Sequence, residues 1–187
     1  MNSYKYLFFI AIIGMALFSC KKEDTPPEID SAGPIDIPSG EAQSFKNGEF
    51  WTYTGFTTTF QQYPDKFFLV LNHYNQSGYL RGQFAFRNIP TIKGIYFPVQ
   101  DIYEFGSVDT LLTCSFFSTL GDGDIIGDPY VLLKDSAMVF TVDKISPDGE
   151  IEGTFSGTLI KEIVNMENDP ASPDTLVFTE GTYVVKL

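Results

Sequence analysis

Along most of this chain, hydrophobic residues recur at every second position rather than every third or fourth. Phe67, Leu69 and Leu71 alternate with Phe68, Val70 and Asn72, so both faces are apolar and the segment predicts a strand covered on each side. Leu80, Phe84 and Phe86 alternate with Arg81, Gln83 and Arg87, a strand with one wet face. Met138, Phe140 and Val142 interleave with Val139 and Thr141. Ile151, Gly153, Phe155, Gly157 and Leu159 share one face opposite Glu152, Thr154, Ser156 and Thr158, and Val177 to Val185 is again β-branched and aromatic. No segment carries a convincing 3.6-residue stripe, and Lys161 to Asn168 allows one helical turn at most.

The punctuation has the same meaning. Lys46-Asn47-Gly48 offers an Asn-Gly hairpin turn, Asn75-Gln76-Ser77-Gly78 closes the next pair of strands, and Pro147-Asp148-Gly149 closes a later one. Consecutive strands joined by short turns pair antiparallel. The predicted fold is all-β: a single domain over residues 43–187, either an antiparallel β-sandwich or a flattened β-barrel of about eight strands. The pattern does not choose between the two. Two loops, Pro98 to Thr110 and Lys161 to Pro173, are longer than a hairpin needs, and the first, with Tyr103 and Phe105 beside Asp101 and Glu104, is the better candidate for recognition.

The first 42 residues have a different character. Met1 to Tyr6 carries one lysine, Lys5, and Leu7 to Phe18 is uncharged, which is the outline of a secretory signal over residues 1–19. That apolar run is too short for a spanning helix, which needs about 20 residues. Leu17-Phe18-Ser19-Cys20 resembles the lipobox of bacterial lipoproteins, and the resemblance implies cleavage before Cys20 and acylation of its sulfur and new amino group. Each buried CH₂ contributes ~0.8 kcal/mol, and two or more chains give stable anchoring. Lys21-Lys22-Glu23-Asp24 resembles the lysine-then-acidic signal of surface-exported lipoproteins of the Bacteroidota. From there to Ala42 the chain is rich in Pro, Gly and acidic residues, so residues 20–42 read as the lipidated cysteine and a disordered tether.

Charge narrows the functional classes. With residues 1–19 removed, 11 basic residues face 24 acidic ones. Such a surface repels phosphate backbones and anionic membranes, which excludes nucleic acid as a partner. The two cysteines give no disulfide framework, since Cys20 is assigned to the lipid; Cys114 reads as a buried thiol, and a dyad with the single histidine, His73, has no supporting signature.

Candidate chemistry is sparse. Asp122, Asp124 and Asp128 stand at relative positions 1, 3 and 7 of an EF-hand-like spacing with Gly127 at 6, a weak Ca²⁺ candidate that lacks ligands at Ile126 and Leu133. Gly153-Thr154-Phe155-Ser156-Gly157 puts its serine one place too late for a nucleophile elbow. Aromatic residues make up 16% of the chain, most of them expected in the core because Phe67, Phe84, Phe116, Phe140 and Phe155 lie on apolar faces, and Tyr63, Tyr103 and Tyr130 in turn-like sequence are the candidates for stacking on a glycan or a protein side chain. Asp30-Ser31-Ala32 resembles the Bacteroidota O-glycosylation acceptor, with Ser31 as the modified residue.

Phe45-Lys46-Asn47-Gly48-Glu49-Phe50-Trp51, the run Ile151 to Leu159 and Gly181-Thr182-Tyr183 together resemble a group of Bacteroidota lipoproteins of unknown function. The resemblance implies an all-β fold and an outer-membrane, lipid-anchored compartment, with no catalytic residue to carry over. The expected function is a non-catalytic ligand- or protein-binding β-domain on the cell surface. A periplasm-facing accessory protein comes second, and a glycan-acting enzyme third.

Overall fold

A computed structural model describes residues 39–100, 111–132, 138–162 and 172–187. Their strands are β1 (Gly40–Lys46), β2 (Glu49–Phe60), β3 (Tyr63–Tyr74), β4 (Leu80–Pro90), β5 (Gly94–Tyr96), β6 (Thr113–Leu120), β7 (Ile125–Val131), β8 (Val139–Val142), β9 (Lys144–Ile145), β10 (Glu150–Lys161) and β11 (Thr175–Lys186). Hydrogen bonding runs β11-β1-β2-β3-β4-β6-β7-β10, and β10 pairs back onto β11. Eight antiparallel strands therefore close into a barrel, which decides the alternative left open by the period-two pattern. Strands β8 and β9 pair with β10 beyond the barrel seam, and β5 extends that sheet from β8.

Local chemistry sets these junctions. Asn47 and Gly48, at φ 51° and 81°, both occupy the left-handed region that a two-residue turn of the twist-matching kind requires, and β1 pairs with β2 residue for residue up to Lys46 and Glu49. In the β3–β4 connection the Asn75 side chain accepts from the backbone N–H groups of Ser77 and Tyr79 at 3.0 Å, closing an Asx turn. Strand β1 begins at Gly40, three residues inside the segment read as tether, because Gly40, Glu41 and Ala42 pair with Val185, Val184 and Tyr183.

The inward face is aromatic. Phe67, Phe84, Phe86, Phe116, Phe140, Phe155 and Phe178 are all buried, and Phe84 stands with its ring centroid 4.4 Å from Phe86 and 4.7 Å from Phe178. An eight-stranded barrel has an interior about wide enough for side chains to fill, and here they fill it. The two-sided reading of β3 needs correction: Phe67, Leu69 and Leu71 are buried, but Phe68 and Val70 lie half-buried on the outer wall, in a shallow hollow of about 220 Å³ shared with Phe56, Thr58 and Gln83.

Glycine makes room where rings crowd. The inward position Gly153 pairs with Tyr183, whose hydroxyl donates to the Thr141 carbonyl at 2.7 Å, and a Cβ at residue 153 would fall 2.0 Å from that oxygen and 2.6 Å from the hydroxyl. Overpacking of this kind costs about 1–3 kcal/mol. Gly153→Ala is expected to lower the urea unfolding free energy by about 2–3 kcal/mol, whereas Ser156→Ala, on the outer face, stays within about 0.5 kcal/mol.

Candidate functional site

One end of the barrel interior is polar. On β1 the residues alternating inward are Ala42, Ser44 and Lys46, and on β2 they are Trp51 and Tyr53. The Lys46 ammonium lies 3.3 Å from the Trp51 ring centroid, and the His73 ring is stacked on the same indole at 3.9 Å. Two groups this close to one centroid cannot share a face, so Trp51 is held between the lysine and the imidazole. His73 Nδ1 is fixed 2.9 Å from the Thr52 carbonyl, and the Ser44 and Tyr53 hydroxyls are hydrogen-bonded at 3.0 Å.

Burial pushes the Lys46 ammonium from its ordinary value near 10.5 down to about 8, with nearby Glu49 pulling it back up. That displacement corresponds to about 3 kcal/mol, and a cation–π contact of about 0.5–2 kcal/mol opposes it without cancelling it. Burial likewise raises Tyr53 to about 12, against the lowering effect of its bond to Ser44.

A second charge lies inside. Asp128, on β7, is fully buried, with its Oδ2 3.4 Å from the Lys161 ammonium of β10. Lys161 also donates to the Ser172 carbonyl at 2.8 Å, and neither Asp128 carboxylate oxygen receives a hydrogen bond. The pair spans a short seam of the barrel, where among the described residues β7 and β10 pair through Ile160–Val131 and Lys161–Tyr130, with the Glu162 N–H donating to the Pro129 carbonyl at 2.9 Å. The Asp128 backbone is held from the other side by Ser118 Oγ, which accepts from its N–H at 3.0 Å.

These positions redistribute the residues singled out from the sequence. Asp122 and Asp124 are exposed in the β6–β7 turn while Asp128 points inward against Lys161, so the EF-hand-like spacing does not gather its carboxylates. Among the described residues no cluster of three or more potential metal ligands occurs. Tyr130 is a strand residue rather than a loop residue: it is 2% exposed, packs on Phe116 at 6.0 Å and donates its hydroxyl to the Pro173 carbonyl. Tyr63 opens β3, half-buried, with the Lys66 ammonium 5.8 Å over its ring. Cys20, Ser31 and Tyr103 lie outside the described residues.

Cys114 and His73 occupy different levels of the barrel. Cys114 pairs with Phe86 and His73 with Gly82, four positions apart along β4, a separation of about 13 Å at the strand rise. No nucleophile and base meet there.

The feature that sequence reading missed is on the outside. Ile92, Ile95 and Phe97 are 65%, 67% and 67% exposed, with Val99 and Leu111 at 40% and 59%. Tyr96 turns the other way, packs on the core and donates its hydroxyl to the Ile92 carbonyl at 2.6 Å, which holds Ile95 and Phe97 outward by alternation. Val99 joins this stretch to the start of β6 through its N–H to the Leu112 carbonyl. From Asn88 to Gln100 the chain has no carboxylate and one charge, Lys93, in a protein of net charge −12. The signal was present in the sequence as an uncharged run, Ile95-Tyr96-Phe97-Pro98-Val99, but which of its residues face water depends on how β5 hangs from β8.

Compared with protein-family models, curated proteins and solved structures, the chain has no match.

Two predictions follow from the charges inside. Between pH 8 and the unfolded value near 10.5, folded Lys46 sheds a proton that the unfolded chain still binds, so stability rises with pH across that window. Unfolding followed through the single tryptophan should shift to higher urea between pH 7.5 and 9.5, and Lys46→Met should flatten that rise. Asp128→Ala, which removes the buried carboxylate facing Lys161, is expected to cost about 3–5 kcal/mol, while Asp128→Leu combined with Lys161→Met recovers most of that loss in the same assay.

Proposed function

We propose that this protein is a lipid-anchored envelope β-barrel, held in the outer membrane through acyl chains on Cys20 and displayed at the cell surface, with a non-catalytic role in binding another protein. The observation that carries the binding role is the apolar rim around β5, where Ile92, Ile95, Phe97, Val99 and Leu111 stand exposed on a molecule of net charge −12. A monomer's largest apolar patch is about 300–600 Å² and is often functional. Five large side chains exposed to this degree reach that range.

Two further observations support the reading. The barrel interior is filled with aromatic rings, which leaves recognition to the outer wall and rim. Cys114 and His73, the residues from which nucleophilic chemistry would be built, stand apart, in keeping with a non-catalytic role. Anchoring and display rest on Leu17 to Asp24, with residues 25–39 as the spacer.

Proteinase treatment of intact cells, with the protein followed by metabolic acyl labelling, tests compartment and anchor together. Rapid loss of an acylated protein is expected, with the label absent in Cys20→Ala. Protection until the outer membrane is opened would overturn surface display and favour an envelope partner on the periplasmic side.

A further inference from the structure

We propose that the outer wall of the barrel over β2, β3 and β4 binds an uncharged oligosaccharide, at a site separate from the apolar rim around β5. The site is the hollow of about 220 Å³ lined by Phe56, Thr58, Phe68, Val70, Asn72 and Gln83. Asn72 and Gln83 are directly opposed on β3 and β4, and Phe56 is opposed to Val70 one row away, so a polar row lies beside an apolar one.

The polar row is already oriented. Gln83 Nε2 donates to Asn72 Oδ1 at 2.8 Å, and Asn72 Nδ2 donates to the Tyr74 hydroxyl at 3.2 Å. A primary amide has two N–H groups and a carbonyl, so each keeps one N–H for a ligand hydroxyl, and Gln83 keeps its oxygen as well. Groups fixed before binding lose little freedom on binding. Phe56 supplies the complementary surface: it is half-buried on the outer face, and among the described residues its ring stacks on no other ring. A sugar ring carries hydroxyls around its perimeter and C–H groups on its faces, which is the same alternation.

Closure and charge select this ligand class. Strands β11, β1, β2, β3 and β4 each pair on both sides, so the wall has no backbone edge on which an extended peptide could add as a strand. None of the six lining side chains carries a formal charge, and Arg87 is engaged over the Phe68 ring at 5.9 Å. A second hollow of about 250 Å³ lies on the same wall, with Glu41, Gln43, Thr52 and Thr182 around it. Thr54 joins the two, since it is opposed to Glu41 on one side and Asn72 on the other. The row Val184, Glu41, Thr54, Asn72 and Gln83 crosses five strands, about 19 Å, a length that suits several linked sugars rather than one. Glu41 and the net charge of −12 oppose an anionic chain along that path.

The test is a titration of the chain from Cys20 onward, carrying Cys20→Ser, with cellohexaose, maltohexaose and a β-1,4-linked mannohexaose, followed by calorimetry and by ¹⁵N NMR of the side-chain amides. Every strand lies in the compact unit Asp36–Leu187, so removal of the anchor leaves the wall intact. At least one hexasaccharide is expected to bind with a Kd of about 1 mM or tighter and to shift the Asn72 and Gln83 side-chain signals. Gln83→Leu and Phe56→Leu, which keep apolar bulk but remove the amide and the ring, should each weaken binding about tenfold without changing thermal unfolding. The amide shifts of the unsubstituted protein carry the test by themselves if either variant fails to fold. Unmoved Asn72 and Gln83 signals with all three sugars, binding that neither substitution weakens, or tighter binding of hexagalacturonate than of the neutral chains overturns the proposal.

Discussion

An eight-stranded barrel has a lumen of nearly fixed width, and side chains must fill it without gap or overlap. This chain meets the constraint with large rings and compensates with glycines. Phe84 lies in ring contact with Phe86, Phe116, Phe155 and Phe178, while Gly82, Gly153 and Gly181 sit where a Cβ would meet Phe116, Tyr183 and Phe155. Ring and glycine are therefore parts of one packing solution. Most of the aromatic content is spent inside, as the apolar-face positions Phe67, Phe84, Phe116, Phe140 and Phe155 imply, and Tyr130, read as a turn residue, joins them there.

The same lumen explains the two lysines that enter it. Where strands converge at one end, long side chains reach the aromatic wall: Lys46 meets Trp51 and, at 5.5 Å, Phe116. The opposite side of the wall is weaker in backbone pairing, since β10 turns from β7 to β8 and β9 along its length. Lys161 and Asp128 add a side-chain tie across that short seam. A buried pair of this type holds geometry more than it adds net stability, because desolvation offsets most of the Coulombic gain.

Much of the fold was legible because a strand writes its two faces into the sequence. The alternation at Leu80–Arg87 and Ile151–Leu159 marks buried and wet sides correctly, and Asn47-Gly48 marks the first hairpin. What misled was amplitude: Phe68 and Val70 are apolar enough to suggest a covering sheet, yet an outer wall tolerates half-buried apolar groups among threonines. Pro129 disguised β7 as a turn, although Phe117 pairs with it and the strand continues to Val131. The candidate sites were less legible because they depend on closure. Trp51 between Lys46 and His73 unites three strands' worth of sequence, and no spacing rule connects them before the barrel is built.

Closure also determines where the molecule can still make contacts. A ring of strands has no edge, and residues that would extend it must leave the ring. Strand β10 is long enough to do so: its last residues pair with β7 and its earlier ones with β8 and β9, so the extra strands form a flap of sheet beside the barrel. On that flap β5 lies outermost, with Tyr96 anchored inward over the core while Ile95 and Phe97 face water. The barrel contributes rigidity, and the flap contributes an apolar edge. Between Asn88 and Gln100 the chain carries Lys93 as its one charge, so any contact made through this stretch rests on apolar area rather than on ion pairs.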